Sequence, residues 1–421
     1  MAENKEQKVL NVPNKREQNQ TCLDSAEREG LRPKGNVPNL RFPEFKGEWE
    51  KCILGDITEN FNLRNKDKIQ YPMFSVTNDR GFVPQSEQFE GRDMVGEDIK
   101  AYKIIHTNDF AYNPARINVG SIAMYTGEKP CMISSLYVCF KTAKEVNNEW
   151  LMQLLKTPKM NYYYNINGEG GVRVYLFYPN FARIRMSIPK IEEQKKIAKL
   201  LNLIDERIAT QNKIIDKLQS LIKGICNNYF EKLSVQEKAN LIRLSDVLKE
   251  RNEYSSKDGK FIHGTLSKDG IFPKTGRWDR DFLVKQEDKK YKVTHLDDIC
   301  YNPANLKFGV ICRNTFGDLI FSPIYVTFEV CKNVNIGFME LYLTNHNFIE
   351  KVRRFEQGTV YERMAVSPED FLSYKIRIPS YSDQTFFYKK VQWLITLSQN
   401  EMKLLSQYKK LRQYLLRQMF I

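Results

Sequence analysis

The chain repeats itself at a distance of about one domain. Residues 109–115 recur at 298–304 with the shared pattern Asp-x-x-Tyr-Asn-Pro-Ala, 189 positions further along. Residues 134–140 recur at 322–328 in the same way, shifted by 188 positions. A unit of this length is a whole domain plus its connector, far longer than a solenoid repeat. The repetition therefore predicts a pseudo-two-fold molecule that presents two similar surfaces.

Each repeat closes with an apolar strand that ends in proline, and a long helix follows. Pro189 and Pro379 mark the two breaks, because proline disfavours a helical residue before it. The first helix is predicted from residue 191 to about residue 230, and the second from about residue 382 to residue 421. Ser380, with an aspartate three residues on, is typical of a helix N-cap. Short strands and helices alternate inside each repeat, which predicts an α+β fold.

Both long helices carry apolar residues at alternating spacings of four and three, the pattern of a heptad seam. The seam residues are Ile197, Leu201, Ile204, Ile208, Ile215, Leu218 and Ile222 in the first helix, and Leu397, Leu404, Tyr408, Leu411 and Leu415 in the second. Gln211 and Glu401 interrupt them. A single apolar stripe usually faces its own domain. Because two such helices stand at equivalent places, we expect an antiparallel coiled coil between two globular domains. A helix of this length spans roughly 60 Å, or about one to two turns of duplex DNA.

Basic residues exceed acidic residues by a wide margin. The chain has 65 Lys and Arg against 51 Asp and Glu, a formal charge of +14 and an isoelectric point near 9.2. Such an excess favours a polyanionic partner, and an aromatic content of 12% supplies surface for stacking and packing. A basic surface can also serve solubility alone. The size of the excess favours nucleic acid.

Cysteine and histidine usage argues against the common metal sites. The eight cysteines contain no C-x-x-C pair, and the four histidines are scattered. No metal site is predicted, and reduced thiols fit best. No apolar run approaches the roughly 20 residues needed to span a bilayer. We therefore expect a soluble, cytoplasmic protein with no membrane partner. Residues 1–36 are polar and lack periodicity, which predicts a mobile tail.

The Tyr-Asn-Pro-Ala turns come nearest to a catalytic motif. They partly match the Asn-Pro-Pro-aromatic motif of amino-methyltransferases, in which the asparagine grips a flipped base. The second proline and the aromatic residue are missing, and no glycine-rich element for S-adenosylmethionine precedes the turns. The G-x-S-x-G, G-x-x-x-x-G-K-[ST] and H-E-x-x-H motifs are absent as well. A structural turn is therefore favoured over a methyltransferase that would use Asn113 and Asn302.

Basic and aromatic side chains near glycine turns are candidates for DNA binding. They are Arg173 and Tyr175 in the first repeat, Tyr361 and Arg363 in the second, and Arg116 and Lys307 beside the Asn-Pro turns. A guanidinium held up by a glycine turn can bind a guanine edge or a phosphate. Each of these residues can equally be a solvated surface side chain. The matched positions of Arg173 and Arg363 favour that pair.

Together these features resemble the specificity subunit of type I restriction-modification systems. The resemblance covers residues 36–421. It rests on the proline-to-helix junction at 188–197, the paired Tyr-Asn-Pro turns, the opening at residues 40–45 and the ending at residues 418–421. The second junction departs from the pattern, because Ser-Asp-Gln at 382–384 replaces Glu-Glu-Gln.

The resemblance implies a division of labour. Target recognition domains at 37–190 and 232–379 each read one half of a split, asymmetric DNA site, and spacer helices at 191–231 and 380–421 set the gap between the halves. The subunit then has no catalysis and no cofactor of its own. It recruits two modification subunits, which bring S-adenosylmethionine and methylate adenine. Restriction subunits use ATP and Mg to translocate and cut double-stranded DNA.

Two other functions stay open from the residues alone. One is the self-contained DNA adenine methyltransferase, which would bind S-adenosylmethionine as the purified chain. The other is a scaffold or adaptor whose helices bind proteins and whose basic charge is incidental. A scaffold predicts weak DNA affinity and a shallow salt dependence, because few phosphates would be contacted.

Overall fold

The computed structural model describes residues 35–88, 99–171, 174–256, 261–268, 270–274, 290–357 and 364–421. They fall into two compact units. Unit 1 comprises the residues up to Ala209 together with Ser406–Ile421, and unit 2 comprises Thr210–Leu405. The central long helix (Ile191–Val235) and the C-terminal long helix (Tyr381–Gln418) each give residues to both units. Of the predicted tail, only residues 35 and 36 are described.

Unit 1 contains a four-stranded antiparallel sheet and several short helices. The sheet strands, in spatial order, are Thr58–Phe61, Val138–Thr142, Phe110–Tyr112 and Ile122–Met124. Further strand pairs are Glu50–Ile53 with Arg185–Ile188, Phe74–Thr77 with Gly81–Pro84, and Lys103–Ile105 with Cys131–Ile133. The α-helices are Leu54–Ile57, Gln85–Gln88, Asn148–Leu155, Pro158–Asn167 and Tyr178–Ala182, and 3₁₀ helices lie at Ile99–Ala101 and Ile117–Val119.

Unit 2 contains a matching four-stranded sheet and a second sheet of five strands. The matching strands are Leu248–Glu250, Val326–Val330, Ile299–Tyr301 and Ile311–Arg313. The second sheet runs Tyr254–Ser255, Tyr291–Thr294, Leu319–Phe321, Ile262–Ser267 and Gly270–Pro273, and Asn240–Arg243 pairs with Lys375–Ile378. The α-helices are Ile336–Leu343, His346–Val352 and Pro368–Ser373, and 3₁₀ helices lie at Leu244–Asp246, Pro303–Phe308 and Arg353–Phe355.

The four-stranded sheets have the same register in the two units. Tyr112 is opposite Ile122 in unit 1, and Tyr301 is opposite Ile311 in unit 2. Both tyrosines are fully buried, and each lies against a phenylalanine ring, with ring centroids 5.2 Å and 4.9 Å apart. The sequence repeat is therefore a repeat of the fold, and the predicted α+β class is confirmed.

Gln194 and Gln384 fix the start of the two long helices in the same way. Gln194 Oε1 accepts a hydrogen bond from the Asn147 amide at 2.8 Å, and its Nε2 donates to the Pro189 carbonyl at 2.9 Å. Gln384 repeats both bonds, with the Asn335 amide at 2.9 Å and the matching proline carbonyl at 3.0 Å. Each asparagine in turn caps a short helix. One buried glutamine thus joins the starts of two helices in each unit.

The residue before this glutamine differs between the units. Glu193 is buried in unit 1, where it forms an ion pair with Arg41 at 2.7 Å and accepts a hydrogen bond from Trp49 Nε1 at 3.3 Å. The corresponding Asp383 of unit 2 is exposed. Its amide donates to Ser380 Oγ at 3.2 Å, and that hydroxyl donates to the Asp383 carboxylate at 2.7 Å. The predicted N-cap at Ser380 is confirmed.

The long helices run antiparallel to each other. In unit 2, Gln211 Nε2 donates to the Glu401 carbonyl at 3.3 Å, and Tyr229 stacks on Phe387 with ring centroids 3.7 Å apart. A later residue of one helix thus meets an earlier residue of the other. The predicted antiparallel pairing is confirmed, and the two polar residues that interrupt the seams are hydrogen-bonded to each other.

Burial of the predicted seam residues shows one error. Ile197, Leu201, Ile204, Ile215 and Leu415 are buried, and Ile208, Leu218, Ile222, Leu397, Leu404 and Tyr408 are half-buried. The prediction for Leu411 is wrong, because its side chain is 44% exposed. The next residue, Arg412, is half-buried instead, with its guanidinium 3.1 Å from the Asp205 carboxylate in unit 1. At this position an ion pair stands where the heptad pattern predicts an apolar contact. The spacing of apolar residues alone does not predict such an ion pair.

Within the described ranges, no helix is long and apolar enough to cross a membrane. The same residues contain no group of His, Cys, Asp and Glu that could hold a metal ion. The described cysteines are free thiols. Burial raises the pKa of Cys139 to about 12, so this thiol stays protonated in the core.

Candidate nucleic-acid interface

The Tyr-Asn-Pro turn of each unit is a structural element. Asn113 Oδ1 accepts a hydrogen bond from the Ala115 amide at 3.0 Å, and Asn302 Oδ1 accepts one from the Ala304 amide at 3.1 Å. The preceding tyrosine is fully buried in both units, and burial raises its pKa. The asparagine oxygens therefore close Asx turns, the role expected of Asn before Pro.

The turn exposes one apolar side chain in each unit. Ile117 of unit 1 and Leu306 of unit 2 lie buried beneath the turn. Two residues later, Val119 is 54% exposed and Phe308 is 67% exposed. The next residue is a glycine with φ of 103° in unit 1 and 78° in unit 2, the left-handed conformation that favours glycine. The turns share a backbone form but present different side chains at the tip.

The glycine loop of each unit returns onto this turn. The Leu176 amide donates to the Pro114 carbonyl at 3.0 Å, and the Val366 amide donates to the Pro303 carbonyl at 3.3 Å. One residue earlier a β-bridge closes each loop, at Tyr175 in unit 1 and at the matching alanine in unit 2. The Asn-Pro turn and the end of the glycine loop therefore form one surface in each unit, here named the turn surface.

The turn surface of unit 1 contains two of the predicted DNA-binding residues. Arg116 is exposed. Tyr175 is 38% exposed and stacks on Phe177, with ring centroids 6.3 Å apart. The exposed Phe177 was not identified from the sequence. Three further candidates, Arg173, Tyr361 and Arg363, lie outside the described residues.

The turn surface of unit 2 contains a cation, exposed apolar side chains and a cleft. Lys307 is half-buried, and its Nζ lies 5.3 Å from the centroid of the Phe308 ring. A cleft of about 390 Å³ is lined by Ala304, Asn305, Lys307, Phe308 and Met364. Neither Phe308 nor the exposed Met364 was identified from the sequence. An apolar residue directly before the glycine that ends the turn was the available signal.

The predicted cations of the two units do not occupy equivalent positions. At the 189-residue spacing of the turns, Arg116 corresponds to Asn305, and Lys307 corresponds to Asn118. The buried framework of the turn is thus shared, whereas the charges and the exposed apolar group differ. A shared framework with different exposed side chains is expected of two surfaces that bind different nucleic-acid sequences.

The chain thus belongs to a class of proteins that have two similar α+β units and two paired long helices. The chain resembles the S subunit of a type I restriction-modification system from M. genitalium, with a TM-score of 0.56, 14% identity, and coverage of 91% of this chain and 99% of that chain. A second structure, described as showing complex assembly and conformational transition of the type I R-M system, matches with a TM-score of 0.54 and 12% identity over 89% of this chain and 97% of that chain. At these identities the similarity establishes the fold.

Sequence comparison finds similarity to the same kind of protein. Residues 46–220 match the family model of the type I restriction modification DNA specificity domain. A putative type I restriction enzyme MjaX specificity subunit of Methanocaldococcus jannaschii is 26% identical over 207 residues, 47% of this chain and 49% of that protein. The MjaVIII specificity subunit of the same organism is 27% identical over 198 residues, 46% of this chain and 44% of that protein. The chain thus spans about half the length of the curated relatives it matches. The resemblance to type I specificity subunits is confirmed.

Proposed function

We propose that this chain is the DNA sequence-specificity subunit of a type I restriction-modification complex, in which each unit reads one half of a bipartite, asymmetric site. The observation that carries the proposal is the duplicated turn surface, with one buried framework and two different sets of exposed side chains. Loops on a rigid scaffold are the usual place for recognition residues. The formal charge of +14 supplies attraction to the phosphate backbone.

Methylome sequencing tests this function directly. The chain is expressed with its cognate modification subunits, and methylated adenines are mapped across the genome. We expect a site of two short specific halves separated by an unspecific gap. Modification at a single uninterrupted sequence would contradict the proposal.

We propose that the paired long helices set the length of that gap. The test is a matched insertion of seven residues in both long helices, between Ile204 and Leu218 in one and between Leu397 and Leu404 in the other. It lengthens each helix by about 10 Å, which corresponds to about three base pairs at roughly 3.4 Å per step. The two half-site sequences should stay unchanged while the gap grows. An unchanged gap in a folded variant would exclude this role of the helices.

The C-terminal long helix also offers a surface for partner subunits. Phe386 and Trp393, seven residues apart, are 62% and 65% exposed, and the seven-residue spacing places them on one helix face. Lys390 Nζ lies 4.1 Å from the centroid of the Phe386 ring. Exposed aromatic groups of this kind are typical of protein contact sites. We expect Trp393→Ala to reduce co-purification of the modification subunits, whereas Gln399→Ala, at an exposed position on another face of the same helix, should leave it unchanged.

The chemistry is assigned to the partner subunits. S-adenosylmethionine is expected in the modification subunits, and ATP and Mg in the restriction subunits, all within the cytoplasm. Because this proposal leaves cofactor binding to the partner subunits, the purified chain should give no heat of binding with S-adenosylmethionine in calorimetry, whereas a self-contained methyltransferase would bind it. The scaffold alternative is tested by DNA affinity, since a reader of two half-sites must lose affinity steeply as salt rises.

A further inference from the structure

Phe308 is held in an exposed position by a rigid turn in unit 2. Asn302 caps the turn, Leu306 is fully buried beneath it, and the glycine after Phe308 has a φ of 78°. The Gly309 amide donates to the Leu306 carbonyl at 2.8 Å and closes the turn. The backbone is fixed at both ends, and the phenylalanine ring is 67% exposed. A preorganised apolar group of this kind loses little entropy when it binds.

The surroundings of Phe308 combine apolar and basic groups. The cleft beside the ring is lined by Ala304, Asn305 and Met364, and Met364 is 42% exposed. Lys307 Nζ lies 5.3 Å from the ring centroid. The cleft therefore offers an apolar wall next to a positive charge. The edge of a DNA groove is complementary to this cleft, because it presents an apolar group next to a negatively charged phosphate.

We propose that Phe308 and the adjoining cleft contact the C5-methyl group of a thymine in the half-site read by unit 2, while Lys307 contacts a neighbouring phosphate. The inference rests on the proposed function and identifies a specificity-determining residue within it. In the major groove the thymine methyl is the apolar group that distinguishes one base pair from the others, and phenylalanine is a side chain suited to it. The phosphate contact of Lys307 adds affinity and carries no sequence information.

Unit 1 provides an internal comparison for this role. The matching tip residue is Val119, which is smaller and has Asn118 rather than a lysine beside it. A Cβ on Gly120 of unit 1 would lie 3.0 Å from the Asn78 carbonyl oxygen, whereas a Cβ on Gly309 would have no neighbour within 4 Å among the residues that the structure describes. The thymine contact is therefore assigned to unit 2 alone.

The test uses duplexes that carry the site found by methylome sequencing, bound to the full chain in complex with its modification subunits. Each thymine of the two half-sites is replaced in turn by deoxyuridine, which lacks only the methyl group. In the wild-type complex one replacement, in one half-site, should weaken binding about fourfold, the value expected for loss of one buried methyl group. Phe308→Ala should bind that thymine and uracil duplex equally well, and Phe308→Leu should keep part of the difference.

Controls separate this inference from the proposed function. Val119→Ala should leave the effect of the deoxyuridine replacement intact, and Lys307→Ala should weaken all duplexes equally. The inference is overturned if no deoxyuridine replacement weakens binding, or if Phe308→Ala still binds the thymine duplex more tightly than the uracil duplex. A half-site of unit 2 without any A·T pair would overturn it too. It is also overturned if Phe308→Ala weakens every duplex equally, the result expected of a wedge between base steps. In each of these cases a bipartite methylome still supports the function, whereas its absence would remove the function itself.

Discussion

The two units secure the same helix start by different means. Both use a buried glutamine that joins the long helix to an asparagine-capped short helix. Unit 1 adds the buried Glu193, which holds Arg41 and Trp49, whereas unit 2 has the exposed Asp383 at that place. The glutamine is thus a framework residue common to both units. The acidic residue before it differs, because only unit 1 uses it to hold other side chains in place.

The reason lies in how the chain reaches the first strand of each unit. In unit 2 the central long helix ends at Val235 and leads directly into strand Asn240–Arg243. In unit 1 the chain before strand Glu50–Ile53 is held by contacts, including a hydrogen bond from the Leu40 amide to the Gln418 carbonyl at 2.9 Å. The ion pair of Glu193 with Arg41 belongs to the same set of contacts. Unit 1 therefore achieves by noncovalent contacts what unit 2 achieves by a covalent connection.

The largest expected effect comes from two matching phenylalanines at these connections. Phe230 of unit 2 packs against Phe338, Tyr342 and Phe387, with ring centroids 4.8 to 5.7 Å apart, whereas Phe420 of unit 1 lies 6.0 Å from the Trp150 ring. We expect Phe230→Ala to destabilise unit 2 by about 4 kcal/mol and Phe420→Ala to destabilise unit 1 by about 3 kcal/mol.

The appropriate measurement for this pair is native-state hydrogen exchange read separately for each unit, because a two-unit chain need not unfold in one step. The substituted phenylalanine should lower protection in its own unit. Unchanged protection of unit 1 in Phe420→Ala would show that the contacts of residues 418–421 do not hold that unit together.

The ion pair gives the next largest contrast. Glu193→Ala leaves Arg41 with a largely buried charge and removes the partner of Trp49 Nε1. We expect unit 1 to lose about 3 kcal/mol, the low end for breaking a buried pair from one side. Asp383→Ala removes an exposed cap partner and should cost unit 2 less than about 1 kcal/mol. Urea titrations followed by hydrogen exchange in each unit compare the two variants. Equal losses of stability would show that the buried Glu193 holds its unit no more strongly than the exposed Asp383 does.

The two glutamines should behave alike. Gln194→Ala and Gln384→Ala each remove the side-chain partner of one backbone amide and one backbone carbonyl at the helix start. We expect each to cost its own unit about 2 kcal/mol. Gln194 also donates to the Glu145 carbonyl at 3.2 Å, so its loss should be the slightly larger one. An effect in only one unit would mean that the glutamine is not a common framework element.

Much of the fold could be predicted because its signals are local or repeated. The proline breaks and the apolar seam gave the long helices, and the repeat gave the second unit. Leu411 was misplaced because the ion pair of Arg412 with Asp205 depends on a residue some two hundred positions away. Likewise, the pairing of Gln211 with Glu401 appeared in the sequence only as two separate interruptions. Polar contacts between distant segments have no periodic signal.

The candidate site was predicted only in part, for a related reason. Arg116 and Lys307 were predicted from their charge and their place beside the Asn-Pro turns, and Tyr175 from its place in the glycine loop. Phe308 was missed because an isolated phenylalanine in a sequence is expected in a core. Its exposure follows from the left-handed glycine and the buried Leu306 that fix the turn around it. The backbone geometry of the turn determines which apolar residue faces solvent, and a single sequence does not show that geometry.

The last contrast concerns two matching histidines. His295 of unit 2 lies between two carboxylates, with Nε2 2.9 Å from Glu253 and Nδ1 2.8 Å from Asp318. The hydrogen bond to Glu253, assisted by the one to Asp318, raises the pKa of His295, although partial burial and the nearby Arg251 act against it. The matching His106 of unit 1 has one carboxylate nearby, at 3.7 Å, and is 49% exposed.

A raised pKa in the folded state means that the protonated histidine stabilises unit 2. This contribution is complete below the unfolded pKa of about 6.5 and is lost as pH rises through the folded pKa. Because the carboxylates are exposed, we expect it to stay below about 1 kcal/mol. Hydrogen exchange at pH 6 and pH 8, corrected for the intrinsic rate, should show a smaller pH-dependent difference for unit 2 in His295→Gln than in the wild type. His106→Gln should leave unit 2 unchanged, and an unaltered pH profile in His295→Gln would show that the two carboxylates do not act through this histidine.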